Sequence, residues 1–99
     1  MEQMPATANE LCSVQIPIQM MSITDRDGRL TPIWFKFETE EHFVEKIMIE
    51  KTISRDESNS VGIREKRFIC SAIFGEQRRL LEIRYRIESQ QWRIFQFLS

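Results

Sequence analysis

Leu81-Glu82-Ile83-Arg84-Tyr85-Arg86-Ile87-Glu88 sets the fold class: every odd position is apolar and every even one is charged. A period of two puts one face of a β-strand on a core and the other in water. Upstream, Phe68, Cys70, Ala72 and Phe74 alternate with Arg67, Ile69, Ser71 and Ile73. Gly75-Glu76 separates the two runs, and a two-residue loop with glycine first suits a type II′ hairpin. Downstream, Ser89-Gln90 leads into Trp92-Arg93-Ile94-Phe95-Gln96-Phe97. Residues 61–98 therefore read as a three-stranded antiparallel meander.

The first half predicts a second hairpin. Val14, Ile16, Ile18 and Met20 alternate with Ser13, Gln15, Pro17 and Gln19, after which Met21 and Ile23 switch parity, as a β-bulge would make them. Asp25-Arg26-Asp27-Gly28 then supplies the Asp-Gly hairpin signal, and a returning strand runs from Arg29 to about Glu38. Pro17 has no ladder donor, so the first strand should be an edge near that residue.

Residues 39–54 admit two readings. As a helix, Thr39 is a candidate N-cap, with Glu40 and Glu41 in the first turn and Phe43, Val44, Ile47, Met48 and Lys51 on one side. As a strand, Phe43, Ile47, Ile49 and Ile53 share a face that Glu45 and Lys51 interrupt. The β-branched content of 47–53 favours a strand from about 44 to 54. Arg55-Asp56-Glu57-Ser58-Asn59-Ser60 then reads as an exposed polar loop. The fold class is all-β: a small antiparallel barrel or strongly coiled sheet of five or six strands, with one short helix near 39–48 as the variant. Residues 1–11 read as a flexible segment and 12–99 as a single β domain. Only three glycines are available, so bulges must supply much of any barrel's curvature.

The chain has 99 residues, 41% hydrophobic and 29% charged, enough for one core only. A formal net charge of −1 excludes a uniformly basic nucleic-acid binder. That total hides a split, because residues 1–50 carry −5 and residues 51–99 carry +4. No apolar stretch reaches the ~20 residues of a membrane helix, and the first eleven residues lack a signal peptide's basic and apolar regions. Cys12 and Cys70 have no metal-motif spacing, and Cys70 lies in an apolar run, so both read as reduced thiols of a cytoplasmic protein.

Chemistry finds little support. Glu38, Glu40, Glu41 and His42 could offer one imidazole and several carboxylates, but zinc prefers four Cys or His ligands, and an acidic turn accounts for the group. No nucleophile–base pair, Walker A or G-x-S-x-G motif occurs. The chain reads as non-enzymatic, without cofactor or metal.

Two binding readings remain. Ile33-Trp34-Phe35-Lys36-Phe37 is apolar on both faces, with Ile33, Phe35 and Phe37 opposite Trp34 and Pro32. The last strand repeats this, with Phe95 and Phe97 opposite Trp92, Ile94 and Leu98. Surplus aromatic area on a wet face marks a partner surface, which gives Trp34, Phe35, Phe37, Trp92 and Phe95 as candidate contacts, with a second copy or another protein as partner. The alternative is a nucleic-acid patch of Arg67, Arg84, Arg86 and Arg93 on the C-terminal meander. Glu65, Glu82 and Glu88 interleave with these arginines and count against it.

Taken together, Ile18, Thr24-Asp25, Gly28-Arg29-Leu30-Thr31-Pro32-Ile33-Trp34-Phe35, Ser54-Arg55-Asp56-Glu57, Tyr85-Arg86 and Gln91-Trp92-Arg93-Ile94-Phe95 resemble short uncharacterised proteins of Gram-positive bacteria. The resemblance covers most of the chain and consists of turn and strand residues. It implies a small all-β bacterial protein and assigns no residue a role.

Overall fold

The computed structural model describes residues 15–99. Six antiparallel strands close into a barrel in chain order: β1 (Ile16–Thr24), β2 (Leu30–Glu38), β3 (Val44–Ser60), β4 (Ile63–Phe74), β5 (Gln77–Arg86) and β6 (Gln91–Phe97). The period of two turns the apolar parity inward, so that Phe35, Ile47, Phe68, Cys70, Ala72, Leu81, Ile83, Trp92 and Ile94 form the core. Phe68 packs on Trp92, with ring centroids 5.6 Å apart, and Tyr85 lies 4.8 Å beyond on the other side. Burying one such ring stabilises the barrel by about 2–3 kcal/mol. A closed meander leaves no full-length edge strand exposed.

The turns follow local chemistry. In the β1–β2 loop, Asp25 Oδ1 accepts from the amides of Asp27 and Arg29, each at 2.9 Å. Gly28 takes the left-handed conformation there, with φ +85°. Gly75 has a positive φ and Phe74 pairs with Gln77, which is the two-residue loop expected from Gly75-Glu76. The β3–β4 loop is Val61-Gly62, both residues with positive φ (53° and 79°).

Four register shifts supply the curvature that three glycines cannot. The extra residues are Ile33 in β2, Glu50 and Ile53 in β3, and Phe95 in β6. The bulge expected in β1 therefore lies across the ladder in β2. β1 keeps its parity throughout, and Met21 and Ile23 are exposed at 48% and 56% because they stay on the outer face. Ile33 also reassigns its neighbours: Pro32 is buried rather than facing out beside Trp34. In β3 the shift at Glu50 accounts for the interruption at Lys51, while Glu45 lies before both shifts, opposite Phe37 and exposed. Ile47 and Ile49 point inward, whereas Ile53 is exposed at its bulge.

There is no helix at 39–48. Thr39 uses its capping chemistry to close the β2–β3 hairpin, its Oγ1 accepting from the Phe43 amide at 3.1 Å and its carbonyl from the His42 amide at 2.9 Å. Residues 55–60 are not a loop but the outer half of β3, paired from Arg55↔Phe68 to Ser60↔Ile63. Their polarity reflects a ribbon wet on both faces. Pro17 lies opposite Arg93 in the β1–β6 seam and has no partner in β2, whose ladder to β1 starts at Gln19↔Lys36, so it is a local edge as expected. The proposed segment 1–11 and Cys12 fall outside the described residues.

Candidate interaction surfaces

Strand parity divides the five candidate aromatics. Phe35 is fully buried, and Trp92 is buried between Phe68 and Tyr85. Phe37 packs against the core, edge-on to Phe74 with centroids 6.0 Å apart. These three pack into the barrel's core rather than standing on its outer face. Trp34 and Phe95 face outward.

Around Trp34 the register builds a row across four strands: Met21↔Trp34, Trp34↔Met48 and Met48↔Ile73. Met21 is 48% exposed and Met48 is 46% exposed. The Lys46 ammonium stands 4.3 Å from the Trp34 ring, a cation–π contact that shields part of it. Sequence reasoning found Trp34 but missed both methionines. For Met21 the signal was the unbroken odd parity of β1, which reading a bulge into that strand concealed; for Met48 it was the even parity opposite Ile47 and Ile49 in β3. Phe95, by contrast, is covered by the Arg84 guanidinium, 3.5 Å above its centroid.

The four candidate arginines do come together on the outer face of β4, β5 and β6, with Arg67↔Arg84 and Arg84↔Arg93 in register. Each is engaged. Arg67 clasps Asp56 through two hydrogen bonds of 2.8 and 2.7 Å. Glu65 accepts from Arg84 at 3.2 Å, from Arg86 at 3.3 Å and from Arg93 at 2.6 Å. Glu82 accepts from Arg84 Nε at 2.7 Å and from Gln96 at 2.8 Å. The arginines enclose these carboxylates, leaving Glu65 only 4% and Glu82 only 6% exposed.

Electrostatics follow from this packing. Burial alone would raise the Glu65 pKa, but hydrogen bonds from Arg93, Arg84 and Arg86 outweigh it and hold the value below normal. Arg67 lowers the Asp56 carboxyl and is itself raised by it. Further along β3, β4 and β5, Arg78 grips Glu50 at 2.6 and 2.7 Å, and Ser71 donates to the same carboxylate at 3.0 Å. Cys70 is a free, fully buried thiol whose pKa burial pushes up to about 11, which keeps it unreactive.

Hollows are shallow and open. One of them, about 740 Å³, lies where β1 diverges from the β5–β6 turn. Among the described residues no three His, Cys, Asp or Glu side chains gather as a metal site. The Glu38–His42 pair is a 2.9 Å contact within an exposed turn. No helix among the described residues is long and apolar enough to cross a membrane. Comparison of the chain with family models, with curated proteins and with solved structures returned no match.

Proposed function

We propose that this chain is a non-enzymatic interaction module that self-associates through the outer face of β1, β2 and β3. One observation carries the reading: Met21, Trp34 and Met48 occupy consecutive register positions on the face that should be wet. Tryptophan is a favoured interface anchor, and flexible methionines adapt to a partner surface. A two-fold axis through this row would set each Trp34 against the other copy's methionines, the self-complementary arrangement of a C2 dimer. The buried free thiol of Cys70 suits a reducing, cytoplasmic setting. The nucleic-acid alternative draws less support, because Arg67, Arg84, Arg86 and Arg93 are each engaged by carboxylates of the same face.

Analytical ultracentrifugation of the full chain over a wide concentration range tests this. The wild type should reach a dimer, and Trp34→Ala should weaken dimerisation by about 30-fold, the loss of ~2 kcal/mol expected of a hot-spot residue. A wild type that stays monomeric at its highest soluble concentration would remove the self-association reading. Salt-sensitive binding of single-stranded DNA by that monomer would restore the alternative.

A further inference from the structure

We infer that β1 accepts an extended peptide segment along the edge it turns away from β2, as an added antiparallel or parallel strand. The β1–β6 seam consists of Ile16↔Ile94, Pro17↔Arg93 and Ile18↔Trp92. Beyond it, from Gln19 to Thr24, β1 pairs with β2 alone among the described residues. The open groove of about 740 Å³ occupies the place where β6 would have continued.

Strand alternation fixes which backbone groups face that groove. The Asp25 amide donates to the Arg29 carbonyl at 3.1 Å, so the amides of odd residues in the second half of β1 point toward β2. Pro32 opposite Ser22 agrees, since a proline belongs at a pair that exchanges no hydrogen bonds. The N–H and C=O groups of Met20, Ser22 and Thr24 therefore point into the groove, with no strand beside them among the described residues. Natural edges are usually guarded by lysine, proline or a bulge. Pro17 guards only the seam end of β1; from Gln19 to Thr24 there is no charged residue and no proline, and the nearby bulge lies in β2, so among the described residues nothing guards this stretch of edge.

Side chains define the occupant's chemistry. The inner wall is apolar and aromatic, formed by Ile18, Met20, Leu30, Tyr85 and Trp92. Among the described residues the charged members of the lining are Arg86 and Arg93, with no acidic residue. In the network behind them, three guanidiniums (Arg84, Arg86, Arg93) share two carboxylates (Glu65, Glu82), leaving one positive charge in excess. Arg86 is the most exposed of the three, its side chain 40% accessible. An added strand with apolar residues facing inward and a carboxylate on the alternate, outward positions would match both walls. The occupant is thus an extended acidic–apolar peptide, recognised by backbone pairing with Arg86 selecting for charge.

A fluorescein-labelled peptide, Thr-Val-Glu-Val-Glu-Val-Thr, titrated into the full chain tests this by anisotropy, with amide NMR shifts locating the contact. The expected result is saturable binding that shifts the amides of Met20, Ser22 and Thr24. Ser22→Pro removes a groove donor without touching the β1–β2 ladder and should weaken binding about tenfold. Arg86→Gln should weaken this peptide by about threefold and strengthen, not weaken, a version with lysine in place of glutamate. Trp34→Ala should bind as wild type does, which separates this site from the dimer face. Three results would overturn the inference: equal binding of a peptide with N-methylated alternate amides, shifts confined to the Trp34 row, or no saturable binding to the full chain. The last includes the case where binding emerges only once residues 1–14 are removed, since the groove's occupant would then be the chain's own segment.

Discussion

Val61 is the most exposed large apolar residue described, at 97%, and it sits at φ +53° in a two-residue turn. A β-branched side chain resists that conformation, whereas Asn-Gly is the preferred pair for a turn with two positive φ values. Val61→Asn loses no packing and should raise stability by about 1 kcal/mol, read from the thermal unfolding midpoint. Glu65 shows the opposite dependence on context. Glu65→Gln leaves Arg84, Arg86 and Arg93 facing a neutral amide and should cost about 2 kcal/mol in chemical denaturation. That is below the usual ~3–5 kcal/mol for a broken interior pair, because Arg86 can turn toward water. The pH dependence follows the same carboxylates. Glu65, Glu50 and Asp56 have folded pKa values below their ordinary 4.5, 4.5 and 3.8. Their contribution is therefore complete above those ordinary values and is lost as pH falls through the lower, folded ones. Stability measured from pH 7 downward should stay level to about pH 5 and then drop, and Glu65→Gln should make the drop shallower.

At the scale of elements, alternation made the strands legible and concealed their joints. Leu81–Glu88 and Phe68–Phe74 could be assigned because each keeps one parity over a length that no helix imitates. A bulge adds one residue and flips every later side chain, yet leaves no composition of its own. Ile33 in β2, and Glu50 and Ile53 in β3, were for that reason invisible in the sequence. Their effect spread to the site: the shift at Ile33 put Pro32 inside, and the two in β3 set the register that joins Asp56 to Arg67. Residues 55–60 misled for a different reason, since a ribbon wet on both faces has the polarity of a loop. The β1–β2 turn was legible because Asp25 and Gly28 carry its mechanism locally. Asp25→Ala removes the acceptor for two turn amides and should cost about 1 kcal/mol, measurable as a lower denaturation midpoint.

Across the whole molecule, cohesion is unequal. The β4–β5 ladder runs unbroken from Glu65↔Arg86 to Phe74↔Gln77 through the centre of the core, while the β1–β6 seam stops after Ile18↔Trp92. Native-state hydrogen exchange should show the gradient. Amides of Cys70 and Ile83 should exchange only through global unfolding, and those of Ile16 and Ile18 through a smaller opening. Equal protection at both places would mean that the barrel opens as one unit. The seam also shapes how the chain reaches this state. Every other ladder joins strands consecutive in sequence, so each hairpin can form at small loop-closure cost, while the seam must bring Ile16 to Ile94. Closure is thus the slow, last event of folding, and until it occurs β1 and β6 are both unsealed. Two chains folding side by side can exchange those strands, so the yield of correctly closed monomer depends on how dilute the refolding is.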